Sequence, residues 1–340
     1  MKSSPPHIVF RLCIIIAGMA LLSCAARAGV LRTQTISLHK GWNSIHLQVS
    51  PTNSAAASVF GNLPITIAAT YTSSARPIEY LQNPGQIRWK NEGWAVWYAP
   101  NRADAFLSTL SAVLGNRTYL IYAQQDCSWN IEGEVLFEPT RWRSDSFNLV
   151  GFCLDEQSPP TFDKFFSGSP AHSASRVYRL VGDQWMQVTD RIHTTMRSGE
   201  ACWVFCKGRS EYQGPLLVKA PGAQRVNFGP QGQAGLLLAN QSNDPINIQV
   251  ETVSNDAGLP LAYTLRAITV GAMDEVDFDL PRSYALPSLE AGVKTSLWLR
   301  LRRERMINPV QSTLLKITTD SGVQCWVPVT GARADLAAAP

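Results

Sequence analysis

The residues able to do chemistry are scattered, and none of their spacings matches a known catalytic or metal-binding arrangement. Asp155, Glu156 and Asp163 could supply paired carboxylates. Glycoside hydrolysis needs two such groups about 5–9 Å apart across a cleft. Their spacing sets no such separation, and a loop before a short helix accounts for them equally well. His39 and His46 flank a turn at Gly41 and could face each other across a hairpin. No cysteine or carboxylate joins them at ligand spacing, so no zinc site is expected. Asp274, Glu275, Asp277 and Asp279 form the richest acidic stretch. Oxygens converging from a strand and its loop could hold calcium, but the spacing fits no calcium loop, and a solvated strand face is the reading adopted. Ser54, Ser58 and Ser167 lie in no Gly-x-Ser-x-Gly elbow. No catalytic residue, metal or cofactor is expected.

Two enriched residue types remain. Five cysteines follow residue 28, namely Cys127, Cys153, Cys202, Cys206 and Cys325, and an odd number leaves at least one unpaired. Cys202 and Cys206 would share a strand face about 13 Å apart, too far to bridge each other. Cys127 with Cys153, or either with Cys202 or Cys206, is the candidate disulfide; the alternative is that all five are small buried hydrophobes. Trp89, Trp94, Trp97, Tyr98, Trp129, Trp142 and Trp185 are the aromatic enrichment. In an extended strand Trp94, Val96 and Tyr98 share one face and Trp97 takes the other. If Trp97 is exposed it could stack on a sugar ring or anchor a partner. Trp94, Trp97 and Trp185 are therefore the candidate binding residues, against the alternative that these rings are packing.

The elements that would position these groups read as strands. At the N-terminus, Lys2 and Arg11 precede an apolar run from Leu12 to Leu22, and Ala26-Arg27-Ala28 has the form of a cleavage site. Residues 1–28 are expected to be a signal peptide, too short to span a membrane. Leu21-Leu22-Ser23-Cys24 resembles a lipobox and offers a second outcome, lipid anchoring at Cys24. No later stretch is long and apolar enough for a span. Removing residues 1–28 takes away three basic residues and no acid, leaving a net charge of about +1. Nucleic-acid binding wants a concentrated basic surface. Arg300, Arg302, Arg303 and Arg305 make the one dense cluster, so no nucleic-acid partner is expected.

Residues 29–140 and 141–210 read as two β-rich units in the same order. In the first, Ile36 and Leu38 alternate with polar residues, the turn Gly41-Trp42-Asn43 follows, and Ile45, Leu47 and Val49 alternate again. A short helix is expected within 53–60, and strands at Ile65, at Trp94 to Tyr98 and at 118–123. Asn101 reads as the cap of a further helix carrying Phe106, Leu110, Val113 and Leu114, with Gly115 as its stop. In the second, Phe147-Asn148-Leu149 parallels Trp42-Asn43, a helical stretch carries Phe162, Phe165 and Phe166, and strands follow at 176–180, at 185–188 and at 201–205. The stretch from Trp129 to Phe137 is an additional strand between them. This layout resembles the GWN repeats of bacterial surface and secreted proteins. The second copy departs from the motif with Ser146-Phe147-Asn148. The resemblance implies an extracytoplasmic location and a structural or binding role, and carries over no catalytic residue.

Residues 208–222 read as a linker, rich in glycine and proline. Beyond it, seven to nine short alternating runs over 215–333 fit an immunoglobulin-like sandwich, with Thr319-Asp320-Ser321-Gly322 as a hairpin turn and Pro328 placing the last strand at an edge or a bulge. Residues 334–340 read as a flexible tail. The fold class expected is all-β with short helices, a duplicated β-rich unit followed by an immunoglobulin-like β-sandwich. The function expected is a non-enzymatic secreted or cell-surface structural or protein-interaction module, with envelope or extracellular proteins as partners. A carbohydrate-binding protein using tryptophans is the first alternative, and an extracellular glycoside hydrolase the second.

Overall fold

In the computed structural model the chain is described over residues 29–72, 93–222, 224–228, 230, 232–255, 257–269 and 272–333. The expected signal peptide 1–28, Cys24, Trp89 and the tail 334–340 lie outside the described residues.

The first unit is built from β1 (Leu31–Leu38), β2 (Gly41–Leu47), β3 (Val49–Pro51), α1 (Ala56–Phe60), β4 (Ile65–Tyr71), β5 (Trp94–Tyr98), β6 (Arg117–Ala123) and β7 (Cys127–Val135). The alternation in β1 does what period-two patterning requires: Ile36 and Leu38 point inward, Thr35 and Ser37 outward. A three-stranded sheet in the order β1-β7-β3 and a four-stranded sheet in the order β2-β6-β4-β5 enclose one core. It holds Leu38, Leu47, Phe60, Trp97, Tyr119, Ile121 and Trp129. The additional strand expected after Trp129 is thus β7, and it belongs to the first unit.

The helix expected after Asn101 does not form. Only a 3-10 turn over Ala105–Leu107 appears, and Phe106 is 83% exposed. The chain beyond it is extended because its polar side chains satisfy the edge of β5. Ser108 Oγ accepts from Tyr98 N–H at 3.0 Å and Thr109 Oγ1 from Val96 N–H at 3.0 Å. The Leu110 amide donates to Val96 O at 2.9 Å. Asp104 pairs with Arg102 instead of capping a helix. Serine and threonine competing for backbone partners is the reason the three- and four-residue spacing misled.

The second unit comprises β8 (Ser146–Gly151), α2 (Phe162–Phe166), β9 (Val177–Val181), β10 (Gln184–Gln187) and β11 (Ala201–Cys206). Thr161 caps α2, its hydroxyl accepting from Lys164 N–H. The sheet order is β10-β9-β11-β8. Counted from the strand that carries the aromatic-Asn pair, β2 or β8, both four-stranded sheets place their strands first, last, second, third. One face of β11 sends Cys202 and Val204 into a core with Phe152, Phe162, Phe165 and Phe166. The other face points at the first unit.

The last ten strands are β12 (Leu216–Lys219), β13 (Val226–Asn227), β14 (Gln233–Asn240), β15 (Ile248–Val253), β16 (Leu261–Thr269), β17 (Ala272–Asp279), β18 (Ser283–Ala285), β19 (Lys294–Leu301), β20 (Val310–Thr319) and β21 (Gln324–Ala332). They form two five-stranded sheets, β12-β14-β19-β16-β17 and β13-β21-β20-β15-β18, packed as an immunoglobulin-like sandwich. Leu236, Leu238, Leu297 and Leu299 meet Val250, Leu315, Ile317, Val327 and Val329 between them. Opposite β20, among the described residues, β21 is bordered only by the two-residue β13, which starts pairing at Val329. Pro328 therefore falls where that border is open, and no bulge is needed.

Candidate functional site

The tryptophans turn inward. Trp97 is 5% exposed and sits in the first core, its ring 5.4 Å from that of Phe60. The sugar-platform reading, which required an exposed Trp97, is corrected: β5 lies on a sheet whose inner face is covered by α1 and β7. Trp94 and Trp185 are half-buried and belong to a chain of rings between the two units. Tyr71 contacts Trp94 at 5.2 Å and Trp203 at 5.5 Å, and Trp185 contacts Trp203 at 6.1 Å. Trp203, 1% exposed, is the centre of that contact.

The two units are also locked by polar contacts. His46 N–H donates to Gly199 O at 2.8 Å, and Trp42 N–H to Asp183 Oδ1 at 2.6 Å. Gly151 packs so closely that a Cβ there would overlap the Cβ of His46. Against the sandwich, Gln324 N–H donates to Cys153 O and Asp155 N–H to Gly322 O. Leu314 of β20 enters the first core, and the Arg32 guanidinium lies 4.6 Å from the Trp326 ring centroid. A cleft of about 1420 Å³ opens where the three units meet, lined among others by His46, Asn116, Glu138, Trp142 and Lys294.

The five cysteines are free thiols, which corrects the expected disulfides. Cys127 starts β7 opposite Leu38, while Cys153 lies at the junction with the sandwich, in a different unit. Cys202 and Cys206 lie on one face of β11, as the alternation requires. Burial raises the Cys153 and Cys206 thiols to about 11 and pushes Cys202 and Cys325 up as well. Thiols held protonated are poor nucleophiles and poor metal ligands.

His39 and His46 do not face each other, because His39 lies in the exposed turn before β2 and His46 near the far end of that strand. Burial lowers His46 to about 4, against a weaker opposing hydrogen bond from Asn116. Burial likewise lowers His172 to about 4, helped by the positive charge of Arg191. The His172 ring lies 4.1 Å from that of Trp142, and its Nδ1 is 2.7 Å from Ser169 Oγ. Asp155 accepts from Gln157 N–H and Ser158 Oγ in a turn, Asp163 sits exposed in the first turn of α2, and Glu156 is exposed. Ser167 Oγ donates to Lys164 O at the end of α2. Among the described residues no group of three or more His, Cys, Asp or Glu could hold a metal ion.

The acidic stretch and the basic cluster neutralise each other. Glu275 meets Arg266 at 2.9 Å, Asp277 meets Arg300 at 3.0 Å, and Asp279 meets Arg305 at 2.8 Å. Arg302 adds a longer contact to Asp277. The side chain of Asp274 lies outside the described residues. These pairs cover one face of β16, β17 and β19. The opposite face of the β16–β17 hairpin carries Tyr263, Leu265, Val276 and Phe278. Leu265 and Val276 are each 50% exposed and Phe278 44%. They are uncovered for two reasons. The hairpin outruns β19, which pairs with β16 only as far as Thr264. The facing edge strand β18 has three residues, and of these Tyr284 covers Tyr263, ring to ring at 4.4 Å. The sequence showed Val276 and Phe278 alternating with Asp277 and Asp279, but the shortness of β18 and the reach of β19 decide which face is left bare.

The fold thus defines an all-β protein with an immunoglobulin-like sandwich open along one side. No family model matches the chain, and no curated protein matches it. Solved structures with similar strand arrangements include the YadV chaperone, with 10% identity over 35% of this chain and 52% of that one and a TM-score of 0.24. The CupB2 chaperone of Pseudomonas aeruginosa shows 14% identity over 35% and 56%, TM-score 0.24. The SafA pilin in complex with the SafB chaperone, from Salmonella enterica, shows 16% identity over 34% and 54%, TM-score 0.23. The chain spans about half the length of each. Likeness at that level carries no argument about function, and the reading below rests on the chain's own surfaces.

Proposed function

We propose that this chain is a non-enzymatic protein-interaction module of an exported bacterial protein, held in the envelope or outside the cell. The observation that carries the reading is the row of Leu265, Val276 and Phe278, half exposed side by side along the open side of the sandwich. Contiguous exposed apolar side chains on an otherwise packed domain mark sites of association. The two N-terminal units form the base: their aromatic chain and backbone contacts fix them to each other, and β20 and β21 fix the sandwich to them. Export is supported by the charged, apolar and small-residue pattern of residues 1–28. No helix of the described residues is long and apolar enough to cross a membrane.

A displayed random-peptide library selected on the full chain, with the V276K/F278K variant as counter-selection, tests this. Enrichment of sequences that bind the native chain and lose the variant is expected. A selection yielding nothing sensitive to those two positions contradicts the reading. N-terminal sequencing of the protein from fractionated cells tests export, with a start at Gly29 or an acylated Cys24 expected.

A further inference from the structure

We propose that the cleft where the three units meet takes up an extended acidic segment of another protein, laid against the free edge of β12. This site is separate from the row of Leu265, Val276 and Phe278. One observation about the backbone and one about charge point to it independently.

Among the described residues β12 is the last strand of its sheet, paired only with β14. Gln241 N–H donates to Pro215 O at 2.7 Å, and Leu217 and Lys219 continue that phase opposite Ala239 and Leu237. In an antiparallel pair, residues bonded to the neighbour alternate with residues whose backbone groups point away from it. The N–H and C=O groups of Leu216 and Val218 therefore point outward, and they have no partner among the described residues. Residues 216–220 line the cleft, so this edge borders it. Open edge groups accept an added strand, which supplies main-chain hydrogen bonds. At 1420 Å³ the cleft is larger than the ~300–1,000 Å³ of small-molecule sites.

Charge chooses the occupant. Among the described residues the cleft lining holds two carboxylates, and both are matched: Glu138 lies 3.7 Å from Arg117, and Glu211 lies 3.1 Å from Arg209. Arg32, Arg141, Lys219 and Lys294 also line it, and among the described residues none of them has a carboxylate within ion-pair distance. Arg32 meets neutral groups, Gln48 Oε1 at 2.8 Å and the Trp326 ring. Lys219 and Lys294 share one face of the sheet, because Lys219 lies on the side of Leu217, and Leu217, Ala239 and Lys294 are in register across β12, β14 and β19. A strand added to β12 sends alternate side chains to that face. Opposite charges attract across a strand pair and like charges repel, so that face selects Asp or Glu. The other face continues the buried Leu216 and Val218 and selects apolar residues. A basic strand would add like charge to four unmatched cations.

The test uses the full chain and short fluorescein-labelled peptides read by anisotropy. The peptide alternating glutamate and valine is expected to bind about tenfold or more tighter than the one alternating lysine and valine. K219E/K294E, two changes at exposed positions, is expected to abolish that preference with an unchanged circular dichroism spectrum, whereas V276K/F278K leaves it intact. Amide exchange at Leu216 and Val218 is expected to slow when the glutamate peptide is bound to the native chain, a readout that needs no variant. Equal binding of the two peptides overturns the proposal, as does unchanged exchange at Leu216 and Val218 with the peptide bound. Loss of binding in V276K/F278K overturns it by moving the peptide to the apolar row. Polygalacturonate that displaces the peptide and binds more tightly also overturns it, because a polysaccharide shares the charge and lacks the strand. The selection against V276K/F278K reads the other surface, so failure here leaves the interaction reading standing.

Discussion

Asn43 and Asn148 occupy the same place in two different sheets. Asn43 Nδ2 donates to the carbonyls of His39 at 2.7 Å and Gly41 at 3.0 Å, and its Oδ1 accepts from His39 N–H at 2.9 Å. Asn148 Nδ2 donates to Arg143 O at 3.1 Å and Ser146 O at 3.0 Å, and its Oδ1 accepts from Arg143 N–H at 2.8 Å. Each carboxamide ties the turn that launches the first strand of a four-stranded sheet. The aromatic before each asparagine also has an equivalent contact. Trp42 meets Tyr122 edge-on at 5.1 Å, and Phe147 meets Phe205 at 5.3 Å, each with its register partner on the last strand. Replacing tryptophan by phenylalanine in the second unit therefore leaves the cross-strand pair intact.

An alanine at Asn43 or Asn148 leaves turn carbonyls and an amide without their partner. A loss of about 1–3 kcal/mol is expected for each, larger for Asn148, which is the more buried of the two. Urea titration followed by tryptophan fluorescence measures it. An aspartate keeps the acceptor but sets an anionic oxygen against the carbonyls of Arg143 and Ser146, so N148D is expected to cost at least as much as N148A at neutral pH.

Trp203 and Trp97 are packing residues in different places, and truncation separates their roles. W97A empties the first core, and W203A empties the contact between units. Each is expected to cost about 3–5 kcal/mol. W203A is also expected to loosen the join between the units, read as faster proteolysis after Tyr71 or within 182–187, while W97A lowers the whole transition. A half-exposed Trp185 changed to alanine is expected to cost less than either.

Arg179 and Glu200 form a bidentate pair at 3.0 and 2.6 Å, with side chains 10% and 17% exposed. Removing the carboxylate strands a guanidinium in a buried setting, and E200A is expected to cost about 3–5 kcal/mol. Glu200 also lies in the strand contact with Ile45, so its loss weakens both the second unit and its join. The paired change R179M/E200M, measured by the same titration, is expected to recover most of that loss.

His46 and His172 are neutral in the fold, with pKa values lowered from 6.5 to about 4. The unfolded chain takes up protons at these sites below about 6.5, whereas the folded chain does so only below about 4. Stability contributed by their neutrality is complete above 6.5, declines as the pH falls through that window, and is lost below about 4. A decline of up to about 3 kcal/mol per histidine between pH 7 and pH 4 is the scale. Melting curves at pH 7, 5.5 and 4.5 check it, and H172F is expected to flatten the part of the slope due to that residue.

Much of the architecture was legible in single elements. The period-two runs gave the strands of the sandwich, and the apolar residues near Phe60 and Phe166 gave two short helices. The stretch after Asn101 was misread because Phe106, Leu110 and Val113 keep helical spacing while Ser108 and Thr109 bond to β5. The cysteines and tryptophans were visible as types but not as neighbours, since pairing depends on how three units dock. The candidate surface was half visible: the two-faced pattern of Val276 to Asp279 is local, but its exposure is set by strands far away in sequence. The salt-bridge ladder likewise joins two clusters that the sequence showed separately.

The bare row of Leu265, Val276 and Phe278 is the surface on which the proposed association depends. Amide hydrogen exchange of residues 275–279 of β17, with and without a peptide selected from the displayed library, tests it most directly. Slowed exchange confined to that strand and its hairpin is the expected result. Unchanged protection there, under conditions where the peptide is bound, would contradict it.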